Sequence, residues 1–325
     1  MKNFHAVVAL AILAGSVGSV SAQPAEPFPD RPLRYIVPFP PGGSTDIVAR
    51  IMADALTRQL GQQVVIDNRA GAGGTVGAEI AARTTPDGYT MFACNIASLA
   101  VSPALYARLG YDPIADFSPI GLIGSNPNAL AVFPEVPAKT VAEFIAHAKS
   151  RPGKMNYSSV GVGTSPQMSM EMFKMATGVD IVHVAYKGGG PALVGLMGGE
   201  VQAMFATVPS LITAIRSERV RVLAVTSTTR FPDLPDTPTL VESGLKGFEV
   251  ISWQGLCTPT GVPQAALARV VAALTAALDA PETRKLLADQ SIQPTPLIAE
   301  KYGEFIRSEQ AKWSKLVKQL GIKPR

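Results

Sequence analysis

The chain has 325 residues, 47% of them hydrophobic and only 17% charged, a balance that excludes a disordered chain and describes a well-packed globular one. At this length two domains fit better than a single core. A formal charge of +4 is too slight to imply a nucleic-acid or membrane-surface partner, and the two cysteines present do not make a disulfide scaffold.

Residues 1–22 stand apart. Lys2 precedes an uncharged run from Ala6 to Val20, and Val20-Ser21-Ala22 places small residues where a signal peptidase cuts. The sequence therefore predicts an export signal removed after Ala22, leaving Gln23 as the mature N-terminus. The run is too short and too rich in alanine for a membrane span, and no later stretch approaches the roughly 20 apolar residues that a span needs. No Cys follows the cut for a lipid anchor. Removing Lys2 turns 29 basic residues against 25 acidic into 28 against 25, a net +3.

Gln23 to Pro32 carries four prolines and reads as an extended lead-in. Leu33, Tyr35, Ile36 and Val37 then form a short run of β-formers, and Val48, Ile51, Met52, Ala55, Leu56 and Leu60 recur at helical spacing. Between strand and helix lies Pro38-Phe-Pro-Pro-Gly-Gly-Ser-Thr-Asp46. Gly42 and Gly43 allow close backbone approach, and Ser44, Thr45 or Asp46 can cap the helix. A helix start reached over a surface without side chains attracts anions.

A second strand follows at Val64 to Ile66, then a Gly-rich loop at Asn68 to Gly77 and a helix from Val76 to Arg83. Tyr89 to Cys94 is a third strand, ending at Asn95-Ile96-Ala97-Ser98. Alternating strands and helices imply a parallel, doubly wound sheet. Ser118 to Phe133, broken by Gly124 to Asn128, reads as a first crossing between domains. A second α/β series comprises helix 141–149, strand 155–159, helix 167–177, strand 181–185, helix 191–197, strand 201–206, helix 209–218 and strand 222–226. Ile251 to Cys257 reads as the return crossing, followed by helices at 263–278, 281–290 and 300–320. No internal repeat is legible in residue identities. The expected architecture is an α/β fold of two doubly wound sheets joined by crossing strands. Residues 23–122 and 251–325 form a discontinuous first domain, residues 123–250 a second, and the two crossings form a hinge. Cys94 and Cys257 lie in apolar strand-like runs and read as two buried free thiols, although an oxidising compartment would permit a bond.

The loop Ser158-Ser-Val-Gly-Val-Gly-Thr-Ser-Pro-Gln167 repeats the logic of the first: a strand ends, two glycines clear the surface, Thr164 and Ser165 offer hydroxyls, and Pro166 suits a first helical turn. One such loop per domain sets two helix starts face to face across the crevice where open α/β sheets bind ligands. The dipole of one helix end contributes only about 0.3–2 kcal/mol, well short of the roughly 8 kcal/mol of micromolar binding. Hydrogen bonds from neutral donors to a carboxylate add about 1.5–3 kcal/mol each, so a handful of them sheltered by closure suffices. Neither loop contains Lys or Arg, so the expected capture of an anion relies on backbone and hydroxyl donors, with no metal and no cofactor.

In order, Pro-Phe-Pro-Pro-Gly-Gly-Ser-Thr-Asp (38–46), Asn-Arg-Ala-Gly-Ala-Gly-Gly (68–74), Pro-Asp-Gly-Tyr-Thr (86–90), Gly-Val-Gly-Thr-Ser (161–165), Ala-Tyr-Lys-Gly-Gly-Gly-Pro-Ala (185–192) and Met-Gly-Gly-Glu-Val (197–201) resemble the Bug family, the periplasmic solute-binding receptors of tripartite tricarboxylate transporters. The resemblance spans essentially the whole mature chain. It implies a two-lobed periplasmic binding-protein fold of type II-like architecture, closing as a monomer on a small carboxylate, an aliphatic dicarboxylate or an aromatic acid. The grip would come from Gly42, Gly43, Ser44, Thr45 and Asp46 in the first loop and Gly163, Thr164 and Ser165 in the second, with delivery to membrane permease subunits. Two departures stand out. Gln167 replaces a common His, and Ala206-Thr207 replaces an acidic residue or Asn after Phe205. Both remove ionisable groups near the expected cleft and argue against a ligand with a free ammonium group.

Gln167 remains a ligand candidate, with Asn95 and Ser98 at a strand end and Lys187 in a strand-to-helix loop, where a solvated or interdomain role competes. Arg69 suits a loop brace. Trp253 and Tyr35 are weighed as cleft or core residues. An enzyme finds little support. Gly71-Ala-Gly-Gly-Thr-Val76 lacks the last glycine of a dinucleotide fingerprint, no Walker or Gly-x-Ser-x-Gly sequence occurs, and His147 and His183 have no evident nucleophile or metal partner in sequence. A ligand-sensing exported receptor that feeds a signalling system would share the pocket and differ in its partner surface.

Overall fold

The first strand, β1 (Leu33–Val37), is almost wholly buried on both faces, as the middle of a parallel sheet covered by helices requires. The computed structural model describes residues 28–322; the expected export signal and the first half of the proline-rich lead-in lie outside the described residues. After β1 the chain forms helix α1 (Ser44–Leu60), which buries Val48, Ala49, Met52, Ala53, Ala55, Leu56 and Leu60. Gly61, in the left-handed region at φ 73°, ends it by donating its N–H to the Thr57 carbonyl. Strand β2 (Val64–Asn68), a short 3-10 turn (Ala72–Gly74), helix α2 (Thr75–Ala82) and strand β3 (Thr90–Asn95) follow. A π-helical turn (Ala97–Val101) then runs into the short helix α3 (Ser102–Leu105).

Strand β4 (Phe117–Val132) leads into the second lobe, where helix α4 (Val141–Lys149), strand β5 (Met155–Ser159), helix α5 (Ser165–Thr177), strand β6 (Ile181–Ala185), helix α6 (Gly189–Met197), strand β7 (Ala203–Thr207), helix α7 (Val208–Arg216) and strand β8 (Arg221–Val225) alternate. Strand β9 (Ile251–Pro259) returns to the first lobe, followed by helices α8 (Gln264–Asp279) and α9 (Pro281–Asp289), strand β10 (Gln293–Ile298) and helix α10 (Glu300–Gln319). The strands join in the order β2-β1-β3-β9-β4-β7-β5-β6, with β8 and β10 also paired to β4.

Four expectations are corrected. The sheets are mixed: β1–β2, β1–β3, β5–β6 and β5–β7 are parallel, whereas β4 and β9 pair antiparallel with every neighbour. Gly124 to Asn128 does not break the first crossing, because Gly124, Ser125, Asn126 and Pro127 pair with Gln254, Trp253, Ser252 and Ile251 of β9, while Asn128 pairs with Thr207 of β7. Tertiary pairing overrides the turn propensity of these residues. Strand β10 went unread because Pro294 and Pro296 suit only an edge. Cys94 and Cys257 are joined in a disulfide, their Cα atoms 6.0 Å apart across the β3–β9 pair.

One buried cluster runs through both lobes, from Phe92 and Leu122 in the first through Leu130 to Tyr157, Phe173 and Phe205 in the second. Two others lie within single lobes, one around α1 and α8 and one around α6, α7 and β7. Thr226 ties the crossings together. Its hydroxyl donates to the Val250 carbonyl at 2.5 Å and accepts the Asn128 N–H at 2.9 Å, and it is fully buried. Thr226→Val keeps the shape and strands both backbone groups. Urea unfolding should show a loss of about 1–3 kcal/mol, and an unchanged midpoint would remove Thr226 from the account of the junction.

Candidate functional site

The two Gly-rich loops adopt the same backbone plan. In the first, Gly42 has φ 83° and its N–H donates at 2.9 Å to Oδ2 of Asp46, four residues on. In the second, Gly163 has φ 79° and its N–H donates at 3.0 Å to Oε1 of Gln167, again four residues on. The residue after each glycine, Gly43 or Thr164, is the N-cap of its helix, and neither helix start is capped by a side chain. A side chain from the first turn thus folds back onto the glycine N–H, a variant of the capping box. The following N–H groups, which have no intrahelical acceptor, are left for a ligand.

The crossing strands repeat the correspondence. Ser44, the first residue of α1, accepts a hydrogen bond on Oγ from Gln254 Nε2 of β9 at 2.7 Å. Ser165, the first residue of α5, donates to Asn128 Oδ1 of β4 at 3.4 Å, and Asn128 Nδ2 donates to Ser169 Oγ at 2.9 Å. Each helix start is therefore pinned to a strand that passes between the lobes.

The cleft between these starts has a volume of about 700 Å³, counting the part open to solvent. Gly43, Ser44, Thr45, Asn95, Thr164 and Ser165 line it, as do the starts of α6 and α7 through Gly188, Gly189, Thr207 and Ser210. Phe39, Pro40, Ile96, Ala97, Val160, Pro166, Leu193, Met204, Ala206 and Leu211 supply apolar wall, and Ser252 and Gln254 belong to the floor. Among the described residues, no Asp, Glu, Lys, Arg or His lines it. Contacts between the lobes flank the cleft. A Cβ at Gly73 would collide with the Val162 carbonyl oxygen, and one at Gly188 would lie 3.0 Å from Pro40 Cγ, so the lobes are closed on one another.

Half of the residues expected to touch ligand do not line the cleft. Gly42 and Gly163 act through their conformation. Asp46 accepts from Gly42 N–H, from Arg50 at 2.9 and 3.1 Å and from Asn68 Nδ2 at 2.9 Å, so its carboxylate is consumed inside the protein. Gln167 is consumed in the same way by Gly163. Ser98 is fully buried and donates to the Asn95 carbonyl at 3.4 Å. Lys187 is exposed, outside the cleft wall. Asn95 does line the cleft, but its Oδ1 caps the π-helical turn by accepting from the N–H groups of Ala97 and Ser98. The Thr164 hydroxyl donates to the Gly161 carbonyl at 2.7 Å, so it is spent within its own loop. Arg69 braces its loop through Asp67 at 2.8 Å.

Tyr35 is core. Trp253 points away from the cleft and donates to Glu309 Oε2 at 3.0 Å, where Trp313 donates as well at 3.2 Å. Strand alternation sends its neighbours Ser252 and Gln254 to the cleft face. Two polar residues flanking a Trp in an otherwise apolar strand were the signal available in sequence.

A cleft between two α/β lobes, walled by helix starts and floored by crossing strands, defines a solute-binding receptor. Residues 48–322 match the family described as tripartite tricarboxylate transporter family receptor. The protein BugT of Bordetella pertussis (strain Tohama I) is 33% identical over 324 residues, 99% of each chain. The solved structure of R. palustris Rpa4515 with adipate is 34% identical, with a TM-score of 0.89 over 92% of this chain and 100% of that one. MatC from Rhodopseudomonas palustris, with bound malate, is 32% identical, with a TM-score of 0.83 over 89% and 100%. The chain belongs to this family, the Bug family of periplasmic receptors.

Burial opposes ionisation of Asp46, but hydrogen bonds from Arg50, Gly42 and Asn68 and the charge of Arg50 outweigh it, so its carboxyl is held below the usual carboxylate range. A depressed folded pKa contributes stability above the unfolded value of about 3.9 and loses it as pH falls through the folded value. Asp46→Asn should therefore cost about 1–3 kcal/mol at pH 7, with the gap to wild type closing on acidification below about pH 4. A gap that stays constant with pH would refute the ionised brace.

Proposed function

We propose that the protein captures a small carboxylate in this cleft, with the backbone N–H groups at the starts of α1 and α5 and the Ser44 hydroxyl as donors, and hands it to a transporter. The observation that carries the reading is the pair of uncapped helix starts, each held open by a glycine N–H bonded to a first-turn side chain. The adipate and malate in related receptors support the ligand class. No charged side chain is needed, because short bonds from fixed dipoles gain strength when closure excludes water. The reading makes the protein a receptor that returns its ligand unchanged, exported to the periplasm after cleavage at Ala22, monomeric, and presented to membrane permease subunits.

In this reading residues 28–122 and 251–322 move against residues 123–250 about the crossings. The closed contacts at Gly73 and Gly188 then form on binding. Each lobe would contribute one half of the donor set, so that only the closed form completes the site.

A thermal-shift screen of refolded, ligand-stripped protein against mono- and dicarboxylic acids tests the class directly, and a hit recovered chemically altered would point instead to an enzyme. At Gly43 a Cβ has only the Pro40 carbonyl near it, at 3.8 Å. Gly43→Val should therefore fold normally and lose binding of every acid that stabilises the wild type; retained binding would remove the first loop from the site. Gly73→Ala should hold the lobes apart, leaving the radius of gyration in X-ray scattering larger with the hit acid than for wild type. Gly61→Ala, at φ 73° in open space, controls for backbone strain, and identical compaction of all three proteins would argue for a rigid pocket.

A further inference from the structure

Gln254 is 4% exposed. Its Nε2 donates to Ser44 Oγ at 2.7 Å, yet its Oε1 is buried without a donor. Asn126 is in the same position. It is 2% exposed, and its Oδ1 has no partner. The two belong to neighbouring strands. Asn126 pairs with Ser252, two residues before Gln254, so alternation puts Asn126, Ser252 and Gln254 on one face of the β4–β9 pair. A buried acceptor left without a donor costs free energy, and of these two on one strand face it is Gln254 that lines the cleft.

The direction of the Gln254 bond adds a constraint. By donating to Ser44 Oγ, Gln254 leaves the Ser44 hydroxyl proton free for an acid group at the start of α1. A ligand donor that reaches Gln254 Oε1 must then lie beside that acid group, on the adjoining carbon. An ammonium would need a carboxylate partner, and none lines the cleft. A hydroxyl is satisfied by a neutral amide oxygen. Beyond the α1 start, the wall of the second lobe carries a hydrocarbon patch of Val160, Leu193, Met204 and Leu211 beside the starts of α6 and α7, and that patch suits an apolar ligand body.

We propose that the ligand is a 2-hydroxy acid with an apolar body, its hydroxyl donating to Gln254 and its hydrocarbon lying against the apolar patch of the second lobe. The inference rests on the receptor reading and narrows it. It also makes Gln254 the specificity-determining residue, a polar group that rejects analogues lacking the matching donor.

Calorimetry on ligand-stripped wild-type protein with four acids tests it: 2-hydroxy-4-methylpentanoate, 4-methylpentanoate, 4-methyl-2-oxopentanoate and adipate. The hydroxy acid should bind at least about tenfold more tightly than the deoxy and oxo acids, and adipate, which lacks the hydroxyl, serves as the unsubstituted diacid control. In Gln254→Leu, checked for folding by its melting curve, the preference for the hydroxy over the deoxy acid should disappear. The wild-type series decides the matter even if that variant does not fold. Equal binding of hydroxy and deoxy acids would mean that the orphan oxygen of Gln254 is met by water and would overturn the assignment, as would tighter binding of the oxo acid. If none of the four binds while another acid stabilises the protein in the thermal-shift screen, the hydroxy-acid assignment falls and the receptor reading stands; if no acid does, both fall. If the four bind with similar affinities, only the hydroxyl assignment falls.

Discussion

The structure depends on a hydrogen bond made twice: a glycine N–H given to a side chain four residues on, Gly42 to Asp46 and Gly163 to Gln167. A first helical turn carries N–H groups without intrahelical acceptors, and many helices satisfy one of them with a side chain at the N-cap. Here the side chain comes from inside the turn and reaches back beyond the N-cap. The loop is braced without using the donors that face the cleft. One brace is an ionised carboxylate backed by Arg50 and Asn68, the other a neutral amide, and both serve because the acceptor they supply has the same geometry.

The crossings extend this arrangement to the hinge. Gln254 of β9 holds Ser44, and Asn128 of β4 holds Ser165, so the start of each helix is registered against one of the two strands at the crossings. Thr226 fastens β4 to the chain entering β9. On the far side of β9, Trp253 is anchored with Trp313 on the carboxylate of Glu309 in α10, and the Cys94–Cys257 disulfide joins β9 to β3. The cleft floor is thereby tied to the more massive lobe. In the proposed reading, lobe motion is left to the few residues where β4 passes from one sheet to the other and where the chain enters β9.

In the proposed reading the cleft selects for charge without carrying charge. Lining it with a lysine or arginine would strengthen binding of any anion and would have to be neutralised when the cleft is empty. Helix starts and hydroxyls are fixed dipoles that need no counter-ion. The absence of ionisable groups on the wall makes the rest of the ligand subject to desolvation, so an apolar surface such as Val160, Leu193, Met204 and Leu211 selects by what it fails to solvate.

The order of elements and the position of both loops were legible in the sequence, because hydrophobic periodicity and paired glycines are local signals: β1, α1, α4, β5 and β6 begin and end where their patterns do. The residues that face the cleft from those loops, Gly43, Ser44, Thr45, Thr164 and Ser165, were legible for the same reason. The inward roles of Asp46 and Gln167 were not, since a carboxylate or amide at the third helical position reads equally as a ligand contact or a brace until the glycine conformation is known. Continuity of β4 through Gly124 to Asn128, the bond between Cys94 and Cys257, and the arrival of Gln254 beside Ser44, 210 residues away in sequence, were decided by tertiary structure alone. Each depends on which strands become neighbours, and strand pairing at long range is set by the packing of the whole sheet rather than by any run of residues within it.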